Sequence, residues 1–323
     1  MQRSESTCTL ILLTYNQVST VAEAVQAALA QSGPAIEIVI TDDASRDGTF
    51  EAAEQAVAGY SGPHKVILNR NPENLGLAGN VEKGHALSTG ALIVAAAGDD
   101  ISLPQRCERI VKRFQKTGAQ LVCSYAKVID PDGNPLEGDF TTATFYRPHD
   151  LAEVARSKAL YIGATGAWRR SLYERYGPME PNAYEDLVLG FRAALENGVE
   201  VIEEPLVKYR LGFGITSSDL YQTDIDAFER QRRRSFDAYA AIITQRLKDA
   251  ETFGLPPTSP VWGILKKQLV KGRLGQAYFS PDRSQFKREA IKHPLLALYT
   301  LHSETRKRKK VLRRAAAGSS PNA

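Results

Sequence analysis

The stretch Ala91-Leu92-Ile93-Val94-Ala95-Ala96-Ala97-Gly98-Asp99-Asp100 is an unbroken apolar run that ends on two adjacent carboxylates. An apolar run without polar alternation reads as a strand covered on both faces, as in a parallel sheet. The reading places a strand over 91–96 and a polar tip directly after it. Two runs upstream repeat the pattern: 9–13 leads into Thr14-Tyr15-Asn16, and 36–40 leads into Thr41-Asp42-Asp43. Helical spacing fills the gaps. Val21, Ala24, Val25, Ala28 and Leu29 share one face, and 49–58, 78–87 and 103–116 read as helices, the last with Pro104 in its first turn. A short strand covers 66–68. This rhythm predicts an α/β fold, an open and mainly parallel sheet with helices on both faces. Ligands of such sheets bind outside the carboxyl ends of the strands, where the three polar tips lie.

The middle of the chain changes character. A strand is expected over 121–129, followed by the turn Pro131-Asp132-Gly133-Asn134-Pro135. Asp150 with Glu153 reads as a capping box that opens a short helix. A helix over 184–195 is stopped by Asn197-Gly198, and 199–202 and 206–210 read as two strands. Beyond residue 218 the pattern is helical, with a long charged segment over 219–251, a Pro-rich break over 255–260 and further helices from 261. Residues 315–323 read as unstructured.

The composition sets limits. The chain has 323 residues, 43% hydrophobic and 24% charged, which is ordinary globular usage. No apolar run reaches the ~18 residues that a spanning helix needs, and residues 1–15 lack a small-residue cleavage site, so neither a membrane span nor a signal peptide is expected. Cys8, Cys107 and Cys123 are far apart and form no CxxC, which excludes a disulfide scaffold or zinc ribbon and fits a reduced cytoplasmic setting. The histidines form no HExxH. The net charge of +4 is concentrated: between Glu304 and Arg314 seven Lys or Arg residues accompany one acid. The body is near neutral and gives no sign of a nucleic-acid surface.

Several clusters have both a plain and a chemical reading. Asp42-Asp43-Ala44-Ser45-Arg46-Asp47-Gly48-Thr49 is either a turn with an N-cap or a strand tip whose carboxylate holds a ligand base or sugar hydroxyl. Asp99 and Asp100 repel each other unless a cation lies between them or both are solvated. With no Cys or His cluster nearby, a cation there would be Mg²⁺ or Mn²⁺, completed by phosphate oxygens. Glu185-Asp186 opens a helix, where acids are stabilised by the helix dipole without any catalytic role. The glycines of 69–84 make neither GxGxxG nor a P-loop, since His85 stands where a P-loop has Lys. Trp168-Arg169-Arg170 is a partly buried helix start or a platform for a sugar or phosphate.

Taken in order, LILLTYN (10–16), IVITDDASRDGT (38–49), NLGLAGN (74–80), GALIVAAAGDDISLP (90–104) and the segment 163–195 with its Glu185-Asp186 pair resemble family 2 glycosyltransferases of the GT-A fold, especially bacterial enzymes that build surface polysaccharides. Residues 208–218 resemble the family's tyrosine–arginine segment, and the resemblance covers about 7–218. It implies a GT-A domain over 1–218, with a nucleotide-sugar half to about 120 and an acceptor half from 121, and a helical extension over 219–323 with a basic tail. It further implies inverting transfer of a sugar from a nucleotide-diphosphate donor, a UDP-sugar, to a glycan or lipid-linked glycan. By match to the family's motifs, Tyr15 would pack on the base, Thr14 would line its pocket and Asp43 would hold it. Asp99 would face the ribose, Asp100 would ligate Mn²⁺ or Mg²⁺, and Asp186 would be the general base. Three positions depart from the family's pattern: Ala97 stands for a frequent acid, Leu13 for a frequent proline, and Leu211-Gly212 for a frequent histidine motif. In the last case Arg210 would supply the charge toward the diphosphate.

A GT-A-like scaffold that binds nucleotide or glycan without catalysis is the alternative, and the retained Asp43, Asp99, Asp100 and Asp186 argue against it. A nucleotidyltransferase would need a Gly-rich basic loop where Thr14-Tyr15-Asn16-Gln17 stands. The acceptor is expected near Trp168 and the region after 218. Leu295, Leu296, Leu298 and Leu301, directly before the basic cluster, are expected either to pack on the core or to hold the protein peripherally on the inner face of an anionic membrane.

Overall fold

Polar tips can converge only if the strands that carry them lie side by side and run the same way. The computed structural model describes residues 7–139, 142–212 and 224–316. In it β1 (Cys8–Thr14), β2 (Glu37–Asp42), β3 (Lys65–Arg70) and β4 (Leu92–Ala97) are parallel, in the spatial order β3-β2-β1-β4. Alternation along β1 explains the two-sided burial. Leu10 and Leu12 pack beneath α1 (Val21–Leu29), α2 (Thr49–Val57) and α4 (Arg106–Thr117), while Ile11 faces α3 (Gly76–Leu87) and the opposite core. The helices begin or end within a few residues of the expected bounds. The main difference is α4, which starts at Arg106 rather than 103, after the turn that holds Pro104.

The other half of the sheet is mixed. β8 (Ala167–Arg169) pairs antiparallel with β4 and with β6 (Leu121–Ile129), β6 pairs parallel with β9 (Val199–Arg210), and β5 (Ile101–Ser102) pairs antiparallel with the end of β9. β7 (Pro135–Asp139) turns back onto β6 as a hairpin. The two strands expected over 199–210 are one. Proline has no N–H to give the ladder, and the β6–β9 register shifts where Pro205 pairs with Tyr125. Asp150 and Glu153 form the expected capping box at the start of α5 (Leu151–Arg156). Trp168 is neither a helix start nor a ligand platform. It is 1% exposed, within β8, and belongs to the core. α6 (Arg170–Tyr176) starts at Arg170, whose guanidinium is spent on the Gly90 carbonyl at 2.6 Å and on Ser88 Oγ.

The C-terminal helices are α8 (Ile225–Phe253), α9 (Pro260–Phe279), α10 (Arg283–Lys292) and α11 (Pro294–Ala316). Ile242, Ile243, Ala250, Val261 and Leu265 bury in the same core as Val188 and Phe191 of α7 (Glu185–Leu195). Arg192 of α7 and Asp249 of α8 form a fully buried pair with Nε to Oδ2 at 3.0 Å. The region 225–279 is thus packed into the α/β body, and the boundary expected at 218 lies outside the described residues. No described helix is long and apolar enough to cross a membrane.

Candidate active site

The tip of β2 separates two neighbouring aspartates by role. Asp42 is buried and consumed by the loop: Ser45 donates its N–H at 2.9 Å and its hydroxyl at 2.5 Å, and Thr14 Oγ1 donates at 3.2 Å. Asp43 turns to the open side. Its Oδ1 accepts from Leu75 N at 2.8 Å and Asn71 Nδ2 at 3.0 Å, which fixes the carboxylate. Behind it Asn71 also donates to Asn80 Oδ1, and Asn80 donates to the Thr41 carbonyl. Asn16 and Ala44, both non-glycine, sit at positive φ in these two tips, a sparsely populated conformation that collects at functional sites. Tyr15 is about half exposed and Thr14 is buried, and both line the same space as Asp43.

The tip of β4 is built around a close approach. A Cβ on Gly98 would stand 2.5 Å from Gln17 Oε1 and 2.9 Å from Thr14 Cγ2, so only glycine lets the β1 and β4 loops meet. Asp99 and Asp100 follow, both buried. Burial pushes the Asp99 carboxyl up. Burial, and then the charge of Asp99, pushes Asp100 well above the ordinary carboxylate range. Arg210 sits behind them and does not line the cavity, contrary to the expectation that it points at a diphosphate. Its Nε donates to the Asp99 carbonyl at 2.9 Å, Nη1 to the Pro131 carbonyl at 2.9 Å and Nη2 to Glu23 at 2.5 Å. The strand pairing that locks β5 to β9 brings it there.

Across the cavity, Glu185 and Asp186 open α7. Burial and then the neighbouring Asp186 raise Glu185 to about 8, and burial raises Asp186 to about 6. The Leu187 N–H donates to Asp186 Oδ1 at 2.8 Å and orients it. A Cβ on Gly163 would collide with the Glu185 carboxylate, which places the 163–166 turn directly against this pair. The Tyr161 hydroxyl is buried at the cavity wall without a hydrogen-bond partner among the described residues.

One cavity of about 880 Å³ joins Thr14, Tyr15, Asp43, Asp99, Asp100 and Asp186. Of the residues matched to the family's donor, metal and base roles, only Arg210 is outside its lining. The far wall was not foreseen in detail. It is one face of α8, with Arg232, Ser235, Phe236, Tyr239, Ile242 and Arg246, together with Ser157 and Lys158. Arg246 is fully buried and ties this wall to α7, donating to the Leu187 carbonyl at 2.9 and 3.0 Å. The donor set at Asp99 and Asp100 is hard oxygen. No group of three or more metal-ligating side chains exists among the described residues, so a divalent cation there would need phosphate oxygens or water to complete its shell, which fits Mg²⁺ or Mn²⁺.

The glycosyl transferase family 2 model matches residues 9–177, about half of the chain. The succinoglycan biosynthesis protein ExoO of Rhizobium meliloti is 32% identical over 156 residues, covering 48% of this chain and 40% of that protein's length. Among solved structures, Staphylococcus aureus TarS 1–349 in complex with UDP superposes with a TM-score of 0.57 at 13% identity, over 98% of this chain and 93% of that one. The mannosyltransferase PcManGT from Pyrobaculum calidifontis, in complex with GDP-Man and Mn²⁺, gives 0.53 at 19% identity, over 96% and 86%. At those identities the structural likeness speaks for the fold, the expected GT-A arrangement with a helical C-terminal region.

Proposed function

The chain belongs to glycosyl transferase family 2, and from that membership we propose that it transfers a sugar, with inversion, from a nucleotide-diphosphate donor to a hydroxyl of a glycan or lipid-linked glycan in surface-polysaccharide synthesis. The observation that carries the reading is the single cavity joining the strand-tip aspartates to Asp186 on α7. A UDP-sugar is the donor. TarS bound to UDP and ExoO named for succinoglycan biosynthesis support the donor and the setting.

Each residue has a task that its surroundings support. Tyr15 stacks on the base, Thr14 closes the pocket, and the Asp43 oxygen not held by Leu75 and Asn71 accepts the base N–H. Asp99 faces the ribose. Asp100, with Asp99 beside it, holds a divalent cation, which supplies charge neutralisation to the departing diphosphate. Arg210 braces the Asp100 carboxylate with its main-chain N–H and the Asp99 backbone with its guanidinium. Asp186 takes the proton from the acceptor hydroxyl as it attacks from the side opposite the leaving group. A base raised to about 6 is ionised at neutral pH and still accepts a proton readily.

We also assign α10 and α11 to peripheral contact with the inner face of an anionic membrane. Ala297, Thr300, Glu304 and Val311 are the buried residues of α11, whereas Ile291, Leu295, Leu298 and Tyr299 stand between 63% and 82% exposed. Exposed apolar side chains next to a run of Lys and Arg suit an anionic bilayer surface. The test of the transferase reading is donor turnover across a panel of nucleotide sugars with Mn²⁺ or Mg²⁺. Release of a nucleoside diphosphate from one donor class, abolished by chelator, is expected. No release from any donor contradicts the reading.

A further inference from the structure

The α8 wall of the cavity carries more positive charge than the reaction described above uses. Lys158 lines the cavity beside Ser157, and its ammonium lies 4.6 Å from the centre of the Tyr239 ring on α8. Two turns earlier on the same face, Arg232 also lines the cavity. Its Nε and Nη2 are both 2.9 Å from the Glu304 carboxylate, and that carboxylate also holds Lys307 Nζ at 2.9 Å. Lys271 of α9 reaches over Tyr299 of α11 nearby. Four cations thus gather where α8, α9 and α11 meet the 157–159 segment, and Glu304 is the acid among them. No carboxylate pairs with Lys158 among the described residues. Partial desolvation, and then the charges of Arg232, Lys307 and Lys271, hold the Lys158 ammonium below the usual lysine range. Like charges brought together this way repel one another and are relieved by an anion.

The cluster is on the acceptor side. The chain runs from Lys158 through Tyr161 to Gly163, which abuts Glu185, whereas the strand tips of Asp43, Asp99 and Asp100 form the other wall. We propose that Lys158, backed by Arg232, is an anion subsite that holds a phosphate group of the acceptor while Asp186 faces the hydroxyl to be glycosylated. A phosphate ester suits the site better than a carboxylate. Its several oxygens can be shared between an ammonium and a guanidinium, and phosphate is a favoured partner of both. The proposal rests on the transferase reading and names the chemical class of its acceptor.

The experiment titrates full-length protein, already saturated with UDP and Mn²⁺, with glycerol 1-phosphate, glycerophosphoglycerol, acetate or glycerol, followed by calorimetry and NMR. The monoester arm represents a terminal phosphate and the diester arm a phosphodiester backbone. At least one phosphate ester is expected to bind, with acetate and glycerol weaker by tenfold or more. Lys158→Gln should weaken that binding at least tenfold, Lys158→Arg should restore it, and UDP affinity should stay within twofold of wild type. Lys158 is exposed, so these variants are expected to fold, and their UDP binding reports it. UDP binding without phosphate-ester binding overturns this subsite alone. Loss of UDP affinity in Lys158→Gln overturns it as well and makes Lys158 a donor contact. Failure of wild type to bind any nucleoside diphosphate removes the transferase reading instead, and this proposal with it.

Discussion

The main-chain N–H of Arg210 donates to Asp100 Oδ1 at 2.8 Å, while the guanidinium of the same residue grips the Asp99 carbonyl and Glu23. Arg210 therefore orients the acidic pair without entering the cavity. Residues that orient metal-holding side chains typically contribute about 10–100-fold to metal affinity. Arg210→Ala keeps the main-chain bond to Asp100 but loses the grip on the Asp99 carbonyl, Pro131 and Glu23. It should therefore weaken Mn²⁺-dependent UDP binding by up to that factor, and Lys should not rescue it, because it lacks the fork that reaches three acceptors. Calorimetry decides; unchanged binding would make Arg210 a purely structural strut.

Glu185 gives a pH signature in stability. Its proton affinity is raised in the folded protein, to about 8 from about 4.5. Between those values the native state binds more protons than the unfolded chain, so stability falls as pH rises through the window. Glu185→Gln removes this loss. Its melting temperature should exceed that of wild type at pH 8 and approach it at pH 5. A difference independent of pH would show that the carboxyl is not held in this way.

The Arg192–Asp249 pair tests whether the C-terminal helices belong to the fold. Both side chains are essentially without exposure. Removing one partner of a buried pair typically costs about 3–5 kcal/mol, because the other is left uncompensated. Asp249→Ala should lower the unfolding free energy by about that amount in a urea titration. A cost below about 1 kcal/mol would show that α8 adds little to the body.

Membrane contact predicts co-sedimentation with anionic but not neutral vesicles. Binding should weaken at 1 M salt, where screening acts over roughly 3 Å, and drop sharply in a Leu295→Ser, Leu298→Ser variant. Equal binding of wild type and variant, or no binding at low salt, contradicts the assignment.

The sequence made the sheet's left half legible because β1, β2 and β4 are apolar runs ending in polar tips, a local pattern. β6 was readable to the residue for the same reason. What stayed hidden depends on long-range pairing. β5 is two residues long and has no periodicity of its own; it exists because Ile101 and Ser102 meet Lys208 and Val207. Glu203-Glu204-Pro205 looks like an interruption, yet the β6 ladder absorbs it in a bulge. The strand-tip aspartates and Asp186 were legible from motif order. Lys158, Tyr161 and the α8 face were not, since no spacing marks residues that converge from 157 and from 232–246. Arg210 was recognised by type, but its direction follows from acceptors at 23, 99 and 131, which no local reading can supply.

The most direct test of the account is a pair of single-residue variants measured against the same donor. Asp186→Asn should lose about 10²–10⁴ in kcat while binding UDP like wild type, and the acidic limb near pH 6 expected in wild-type kcat/KM should be absent from the variant. Asp100→Asn should instead lose the metal-dependent part of UDP binding, leaving an affinity unchanged by chelator. If Asp186→Asn transfers sugar at the wild-type rate, the carboxylate is only a helix-start charge and the assignment of this cavity as the site of transfer is wrong.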